Sequence, residues 1–315
     1  VLKVQRELRE NENGEAVKSY GFEIELSWRD RIGEVDYGVK FNLADAQQKV
    51  VKYPNTTNAF NDWYAGKMSG EIWGYTSLGI AKTDEEMKEH LASLPNGGQN
   101  QLGNKWGAGD IMYADINGDG KVDGGKGTLA DPGDQRIIGN STPRYNFGLV
   151  LDASYKGFDV SIFFQGVGKR DYAPIVGTNG AVFWGAVNNI WQSMAMEEHF
   201  DYFRPEGHPM GANLNGYYPR PDFTSNKNHQ VQTRYLQDAS YIRLKNLQIG
   251  YTLPKQWINK LHINRCRVYV SGDNLWTGTS LASMFDPETL AAGDWGSGKT
   301  YPLSKVISFG LNVNF

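Results

Sequence analysis

The feature that most constrains this chain is a strict alternation of apolar residues with small or polar ones near its end. In YPLSKVISFGLNVNF, the apolar residues are Ile307, Phe309, Leu311, Val313 and Phe315, and the residues between them are Ser308, Gly310, Asn312 and Asn314. Successive side chains of a β-strand point to opposite faces, so a period of two predicts a strand with one apolar and one polar face.

The same period recurs along the chain. It is clear in GFEIELSWRD, DYGVKFNL, RYNFGLVLDASY, FDVSIFFQG and NLQIGYTL, and weaker in RCRVYVSGDN. Together with the terminal stretch these segments predict seven strands, or eight if LKVQREL near the start is included. The 37 glycines and the 13% aromatic content fit strands and turns better than helices.

The predicted connections alternate between short and long. The short ones are a turn between Arg29 and Asp36, a hairpin with Lys156 and Gly157 at its tip, and a helical link at 254–262. The first, second and third long loops are predicted at about 52–143, 166–240 and 276–302. This alternation is typical of an outer-membrane β-barrel, whereas the loops of a soluble β-sandwich, the alternative, usually have a few residues. A mean hydropathy of −0.52 does not exclude the barrel, because only alternate residues face lipid.

The segment DINGDGKVD in the first long loop predicts a calcium site. Asp115, Asn117 and Asp119 stand at positions 1, 3 and 5 of a calcium loop, and the sharp turn falls at Gly120. The main-chain carbonyl of Lys121 is expected at position 7 and Asp123 at position 9. Calcium prefers six to eight oxygen ligands, which this spacing gathers around one point.

Position 12 departs from the calcium-loop pattern, because Lys126 stands where a bidentate glutamate is expected. Asp131 or Asp134 is a possible replacement. The ion is expected to be structural, stiffening an exposed loop that cannot bury a core. The alternative is a loop of Asx turns in which Asp and Asn bond their own backbone.

Other patterns do not indicate an enzyme or a nucleic-acid-binding protein. GDWGSGKT, at 293–300, fits the phosphate-loop pattern but lacks the preceding buried strand and the following helix that such a loop requires. The five histidines have no H-E-x-x-H spacing, and no G-x-S-x-G sequence occurs. A net charge of −3 gives no basic field for nucleic acid.

Aromatic residues of the long loops are candidate ligand contacts. Flat rings beside Asn, Asp and Arg stack on sugar faces or on peptide side chains, and the residues predicted for this role are Trp73, Tyr75, Trp184 and Trp191. The alternative is that such aromatics pack the loops together or form the girdle at the membrane interface.

Several stretches together resemble the C-terminal part of SusC/RagA-type TonB-dependent outer-membrane transporters. They are GEIWGYTSLGIAKTDEEM, DIMYADINGDGKVD, DPGDQRIIGNSTPRYNFGLVLDASYKGFDVSIFFQGV, YIRLKNLQIGYTLP, VYVSGDNLW, FDPE and YPLSKVISFGLNVNF. The resemblance extends over nearly the whole chain, and its motifs are specific in combination.

The resemblance implies that residues 1–315 are the C-terminal portion of a 22-stranded antiparallel transmembrane β-barrel with long extracellular loops and short periplasmic turns. The N-terminal strands, the plug and the TonB-contacting segment would lie outside this chain. The location implied is the outer membrane of a Gram-negative, Bacteroidetes-like cell, in contact with its lipid. The acidic segment at 115–123 matches a family position, and Phe315 matches the terminal signal for barrel assembly.

The function implied is TonB-dependent import of oligosaccharides with a SusD-like surface lipoprotein as partner, and not an enzyme activity. Import of oligopeptides is the alternative within the family. A soluble, calcium-stabilised carbohydrate-binding β module is a second alternative from a different class of protein.

Overall fold

A computed structural model describes residues 8–10, 14–174, 196–222, 227–290 and 300–315. The strands are β1 (Leu8–Glu10), β2 (Ala16–Ile32), β3 (Val35–Lys52), β4 (Glu71–Gly74), β5 (Ser77–Ile80), β6 (Ile111–Tyr113), β7 (Arg136–Asn140), β8 (Arg144–Tyr155), β9 (Phe158–Lys169), β10 (Asp171–Tyr172), β11 (Gln237–Asp238), β12 (Tyr241–Thr252), β13 (Arg265–Thr279) and β14 (Val306–Asn314). The described helices are α1 (Asp84–Ala92), α2 (Lys255–Ile258) and two 3₁₀ segments, Glu197–Phe200 and Asn259–Leu261.

Eight strands form one antiparallel sheet, here called the main sheet, in the order β1-β2-β3-β8-β9-β12-β13-β14. Each strand of the main sheet pairs with the strand of this sheet that follows it in the sequence. The sheet is therefore a meander interrupted by long insertions. The predicted all-β, antiparallel architecture is confirmed for this sheet. The segment LKVQREL at 2–8 lies outside the described residues except for Leu8, with which the short strand β1 begins.

The register gathers the apolar residues on one face. Phe309 lies opposite Val270, and Val270 lies opposite Ile249. Ile249 in turn pairs with Val160, so one apolar row crosses four strands. A second row joins Trp28, Val39, Leu151, Ile162, Leu247, Gly272 and Ile307. The period of two read from single segments therefore becomes a continuous apolar face of the whole sheet.

The opposite face of the main sheet is polar and carries ion pairs between strands. Arg29 on β2 reaches Asp152 on β8 at 3.3 Å across the intervening β3. Gly38 of β3 makes room for this contact, since a Cβ atom there would lie 2.7 Å from the Asp152 carboxylate. Arg267 on β13 similarly pairs with Asp159 on β9.

The short connections lie at one end of the sheet. The β8–β9 hairpin turns at Lys156 and Gly157, whose φ angles of 44° and 90° suit a tight hairpin turn of the primed type. The β2–β3 hairpin turns at Gly33, with φ 61°. The third short link, between β12 and β13, contains α2, as the sequence predicts a helical link at 254–262.

Strand β13 is longer than its weak alternation indicated. Gly272 interrupts the apolar positions, and the β12–β13 register shifts between Leu244 and Asn246. The side chain of Leu275 lies over Gly272, where a Cβ atom would be 2.8 Å from it. A bulge shifts the period of two by one residue, which explains why a fixed alternation missed the last part of this strand, residues 275–279.

The long loops fold together and share a hydrophobic core, here called the loop core. It contains Tyr75, Ile80, Leu94, Ile111, Tyr113 and Val122 from the first loop, Tyr172, Phe203, Tyr218, Tyr235 and Ala239 from the second, and Leu281, Phe285 and Leu290 from the third. The expectation that the acidic loop cannot bury a core is wrong, because Val122 within it is 1% exposed.

Short elements give the loop region its shape. The pairs β4–β7, β5–β6 and β10–β11 are small two-stranded sheets. Helix α1 begins at Thr83, whose hydroxyl accepts a hydrogen bond from the Glu86 amide, and Glu86 in turn accepts one from the Lys82 amide. None of the helices in the described ranges is long and apolar enough to cross a membrane.

The third long loop is fastened to the main sheet by buried ion pairs. Arg243 on β12 is 3% exposed and donates to Asp286 at 2.7 Å and to Glu288 at 2.9 Å. Lys245 on the same strand contacts Glu288 at 2.9 Å. Arg170 donates to the Leu290 carbonyl at 2.9 Å. Both acids of the FDPE motif are thus held by cations of the sheet and its rim.

Candidate ligand and metal sites of the loop region

The acidic segment folds as a series of side-chain to backbone hydrogen bonds. Asp115 accepts from the amides of Gly118 at 2.6 Å and Gly120 at 2.8 Å. Asn117 accepts from the Asp119 amide at 2.9 Å, and Asp119 accepts from the Lys121 amide at 3.2 Å. These are the Asx-type bonds of the alternative interpretation, and they fix the orientation of each carboxylate.

Lys121 occupies part of the predicted calcium site with its side chain. Its ammonium pairs with Asp123 and lies 3.8 Å from Asp119. The hydrogen bond from Lys121 lowers the pKa of Asp123, and the same bond raises the pKa of Lys121. A calcium ion that used Asp123 would have to displace this ammonium, although the Lys121 carbonyl would stay available as a ligand.

Asp134 closes the segment from inside the loop core. It is fully buried and accepts from the amides of Ile116 and Asp123, both at 2.8 Å. A carboxylate oxygen has more than one lone pair, so these bonds do not exhaust it as a ligand. Within the described ranges, no group of three or more His, Cys, Asp or Glu side chains is already arranged around a metal position. Calcium binding by this segment stays a prediction.

The predicted ligand-contacting aromatics have different surroundings. The Trp73 ring stacks on Phe60 at a centroid distance of 4.6 Å. Tyr75 belongs to the loop core with 5% of its surface exposed, and burial raises its pKa to about 12. Trp184 and Trp191 lie outside the described residues, as do residues 293–299 of the phosphate-loop pattern. The packing of Tyr75 accounts for its presence without a ligand, and ligand contact stays a prediction for all four.

A buried ion cluster that the sequence did not indicate joins the first and second loops. Asp110 is fully buried and accepts from Lys227 at 2.8 Å, from Arg220 at 2.9 Å and from Asn228 at 3.0 Å. Lys227 is itself 1% exposed. We call this group the Asp110 cluster, and it pins residues that are 117 positions apart.

A cavity of about 580 Å³, here called the loop cavity, opens between the second and third loops. Its lining residues are Glu198, Asp201, Tyr217, Tyr218, Arg234, Leu236, Gln237, Asp238, Ser280, Ala282 and Ser283. Its volume lies in the range of small-molecule sites, and the lining combines tyrosines with carboxylates and an amide. No local motif marks these residues, because they come from separate stretches of two loops.

Comparisons with known proteins show that the chain is similar to TonB-dependent receptors. TonB-dependent receptor P3 of Formosa agariphila is 27% identical over 329 residues, covering 95% of this chain and 29% of that protein. TonB-dependent receptor P39 of the same organism is 23% identical, covering 95% of this chain and 30% of that protein. The chain therefore spans less than a third of the length of these relatives. No family model matches the chain.

Solved structures share the fold. The RagAB peptide transporter aligns with 96% of this chain at a TM-score of 0.66 and 20% sequence identity, and the match covers 30% of that chain. The RagAB peptide importer in its closed-closed state gives a TM-score of 0.61 at 22% identity, with 96% of this chain and 30% of that chain covered.

Proposed function

We propose that this chain, which is similar to TonB-dependent receptors, is the C-terminal part of a 22-stranded outer-membrane barrel of the SusC/RagA type that imports oligosaccharides. The observation that carries this proposal is the continuous apolar face of the main sheet opposite a face of interstrand ion pairs. A sheet with these two faces suits a wall between hydrocarbon and a water-filled interior.

The proposed mechanism uses both regions of the chain. The loop region captures the cargo on the outer side, and the polar face of the main sheet lines the passage through the barrel. Movement of a plug, driven by TonB through a part of the receptor outside this chain, opens the passage. A SusD-like surface lipoprotein is the proposed partner that covers the loops, as the resemblance to SusC/RagA-type transporters implies.

Oligosaccharide cargo is proposed from the chemistry of the loops. The loop cavity places Tyr217 beside the carboxylates of Asp201 and Asp238 and the amide of Gln237. Rings and polar acceptors of this kind suit the faces and hydroxyl groups of sugars. Oligopeptide cargo is the second candidate, and it is favoured by the peptide transporter named among the structural neighbours.

Uptake by cells tests the function directly. Cells that lack the full-length receptor should lose uptake of a fluorescent oligosaccharide, and collapse of the proton gradient should abolish uptake in the parent strain. Uptake of labelled peptides but not of sugars would replace the first cargo by the second. Uptake of both at the parent level in the deletion strain would contradict import by this receptor.

The soluble β module remains a distinct alternative, and heating in SDS separates it from the barrel. A folded barrel migrates differently before and after boiling, and the full-length receptor should show this shift after purification in detergent. A protein that stays monodisperse without detergent and shows no shift would support the soluble module instead.

We further propose that the acidic segment binds a structural calcium ion through Asp115, Asn117, Asp119 and the Lys121 carbonyl, with Asp123 or Asp134 completing the set. A chelator should then raise protease cleavage at 110–135, and calcium should restore protection. Asp115→Asn should remove the chelator effect. The surface variant Asp62→Asn is the matched control. Cleavage that does not respond to chelator or calcium would overturn the proposal. The Asx-type hydrogen bonds alone would then account for the fold of the segment.

A further inference from the structure

The loop cavity holds three carboxylates that are each positioned by the protein. Asp238 accepts from the Ser240 amide at 2.8 Å, Asp201 accepts from the Asn213 side chain at 2.9 Å, and Glu198 accepts from the Ser283 hydroxyl. In each case one oxygen forms the hydrogen bond named, which fixes the plane of the group. The second oxygens of Asp201 and Asp238 carry no other hydrogen bond among the described residues and are available as acceptors at the cavity wall.

The cation of the cavity is committed to the protein backbone. Arg234 donates through Nε to the Tyr217 carbonyl at 3.1 Å and through Nη2 to the Gly216 carbonyl at 2.9 Å. Its guanidinium also lies 5.8 Å from the ring centroids of Tyr217 and Tyr235. Arg234 therefore holds Tyr217 and Tyr235 in place. The lining carries three carboxylates and one arginine, so its net charge is negative.

The other polar groups of the wall are also preset. The Gln237 amide donates to the Tyr217 hydroxyl at 3.4 Å, while its oxygen accepts from the Ala282 amide at 3.0 Å. A wall that carries three carboxylates, one arginine and an amide already hydrogen-bonded to the protein suits a ligand that is positively charged and rich in hydrogen-bond donors.

We propose that the loop cavity binds a protonated amino group carried by the cargo. This inference rests on the proposed import function and narrows it to cargo bearing an ammonium group, supplied either by an amino sugar or by the amine of a peptide. Charge-assisted hydrogen bonds to carboxylates are the stronger class of hydrogen bond, so the amino group would be a main determinant of selection.

Matched probes test the proposal on the purified full-length receptor in detergent. A glucosamine trimer should bind at least about tenfold more tightly than the N-acetylglucosamine trimer, which has the same backbone without the charge. In a second arm, a lysine-containing tripeptide is compared with its acetyl-lysine form. The arm that shows the difference identifies the source of the amine. Equal affinities within both pairs, or no binding of either amine probe, would overturn the proposal.

Variants of the cavity provide the structural link. Asp238→Asn keeps an acceptor for the Ser240 amide but removes the charge, and it should lower affinity for the preferred amine probe by about tenfold. Asp62→Asn, which changes an exposed carboxylate outside the cavity, should leave affinity unchanged. Unaltered binding in Asp238→Asn and Glu198→Gln, with the heat-dependent shift in SDS retained, would overturn the assignment to this cavity.

Failure of this inference is distinguishable from failure of the import function. TonB-dependent uptake of a cargo by cells, combined with no preference for amines in either arm, would leave import standing and remove the cavity assignment. Raising the salt concentration should reduce the preference for the charged probe, because exposed charges are screened.

Discussion

The main sheet and the loop region are stabilised in opposite ways. The loop core is enclosed, with Ile111 and Tyr113 fully buried, whereas Phe309 on the apolar face of the sheet is 85% exposed. The loops therefore follow the rules of a water-soluble domain, in which large apolar side chains lie inside. The sheet is held by its backbone ladder and by pairs on its polar face, and its apolar side chains point outward. The loops thus bury their large apolar side chains, whereas the main sheet exposes its own. The boundary between the two regions lies where the strands of the sheet end.

The largest expected effect comes from the Asp110 cluster. Asp110→Ala removes the carboxylate that lies 2.8 Å from the buried ammonium of Lys227, whereas the Asp222 carboxylate is farther away at 3.9 Å. Removal of one partner of a buried pair costs about 3–5 kcal/mol. Hydrogen exchange should show loss of protection in both joined loops but not in the main sheet. Glu34→Ala, which breaks an exposed pair with Lys156, is the control and should change protection little. A loss spread evenly over sheet and loops would contradict the separation of the two regions.

A matched pair of phenylalanines compares the two regions directly. Phe203 lies in the loop core and is 2% exposed. Phe203→Ala should lower the local stability of the loops by about 3–5 kcal/mol. Phe309→Ala removes the same ring from the apolar face and should leave loop protection unchanged. Proteolysis of the loops in detergent-solubilised receptor measures both. Equal sensitivity of the two variants would show that the sheet and the loops unfold as one unit.

Two adjacent residues of β14 test which solvent each face meets. Leu311→Lys places a charge on the apolar face, at an expected cost of about 2–4 kcal/mol if that face meets the centre of a bilayer. Asn312→Lys places the same charge on the polar face and should be tolerated. The fraction of receptor that shows heat-dependent migration in SDS reports assembly. Equal assembly of both variants would be incompatible with a lipid-facing apolar side.

Acid should weaken the loop region before the sheet. Burial lowers the pKa of His229 to about 4, below its ordinary value of 6.5. Between these pH values His229 binds a proton in the unfolded loop but not in the folded loop. The free energy of loop unfolding therefore falls as the pH decreases from about 6.5 to 4, by at most about 3 kcal/mol. Loop proteolysis against pH measures this effect. His229→Gln is expected to flatten the profile, and His208→Gln, at a half-buried site of the same loop, is the control. An unchanged profile in His229→Gln would assign the acid sensitivity to other groups.

The two regions also differ in how much the sequence predicts. The faces of the main sheet follow from a local period of two, and the short turns between Arg29 and Asp36 and at Lys156 and Gly157 were predicted as well. The last residues of β13, at 275–279, were not predicted, because a shift in register depends on the neighbouring strand. The loop core mixes apolar residues into stretches rich in Gly, Asn and Asp, and its order arises from contacts between loops that no local pattern records.

The candidate sites divide in the same way. The acidic segment was found because its spacing is local, and its hydrogen-bond pattern is set within a few residues. The partners of Asp110 lie in another loop, and the loop cavity draws Glu198, Tyr217, Asp238 and Ser283 together from distant positions. Such sites appear only once the loops are folded. Tyr75 illustrates the converse, since an aromatic residue in a polar stretch suggested a ligand while its ring lies within the loop core.

The fastening of the third loop to β12 has a consequence for engineering. Asp286 and Glu288 form ion pairs with Arg243 and Lys245, which belong to strand β12 of the main sheet and not to the loop. If the third loop were transplanted into another receptor, its two acidic residues would lose their ion pairs unless Arg243 and Lys245 were transferred as well. Exchange of specificity between receptors is therefore more practicable through single side chains at the cavity rim than through replacement of the whole loop.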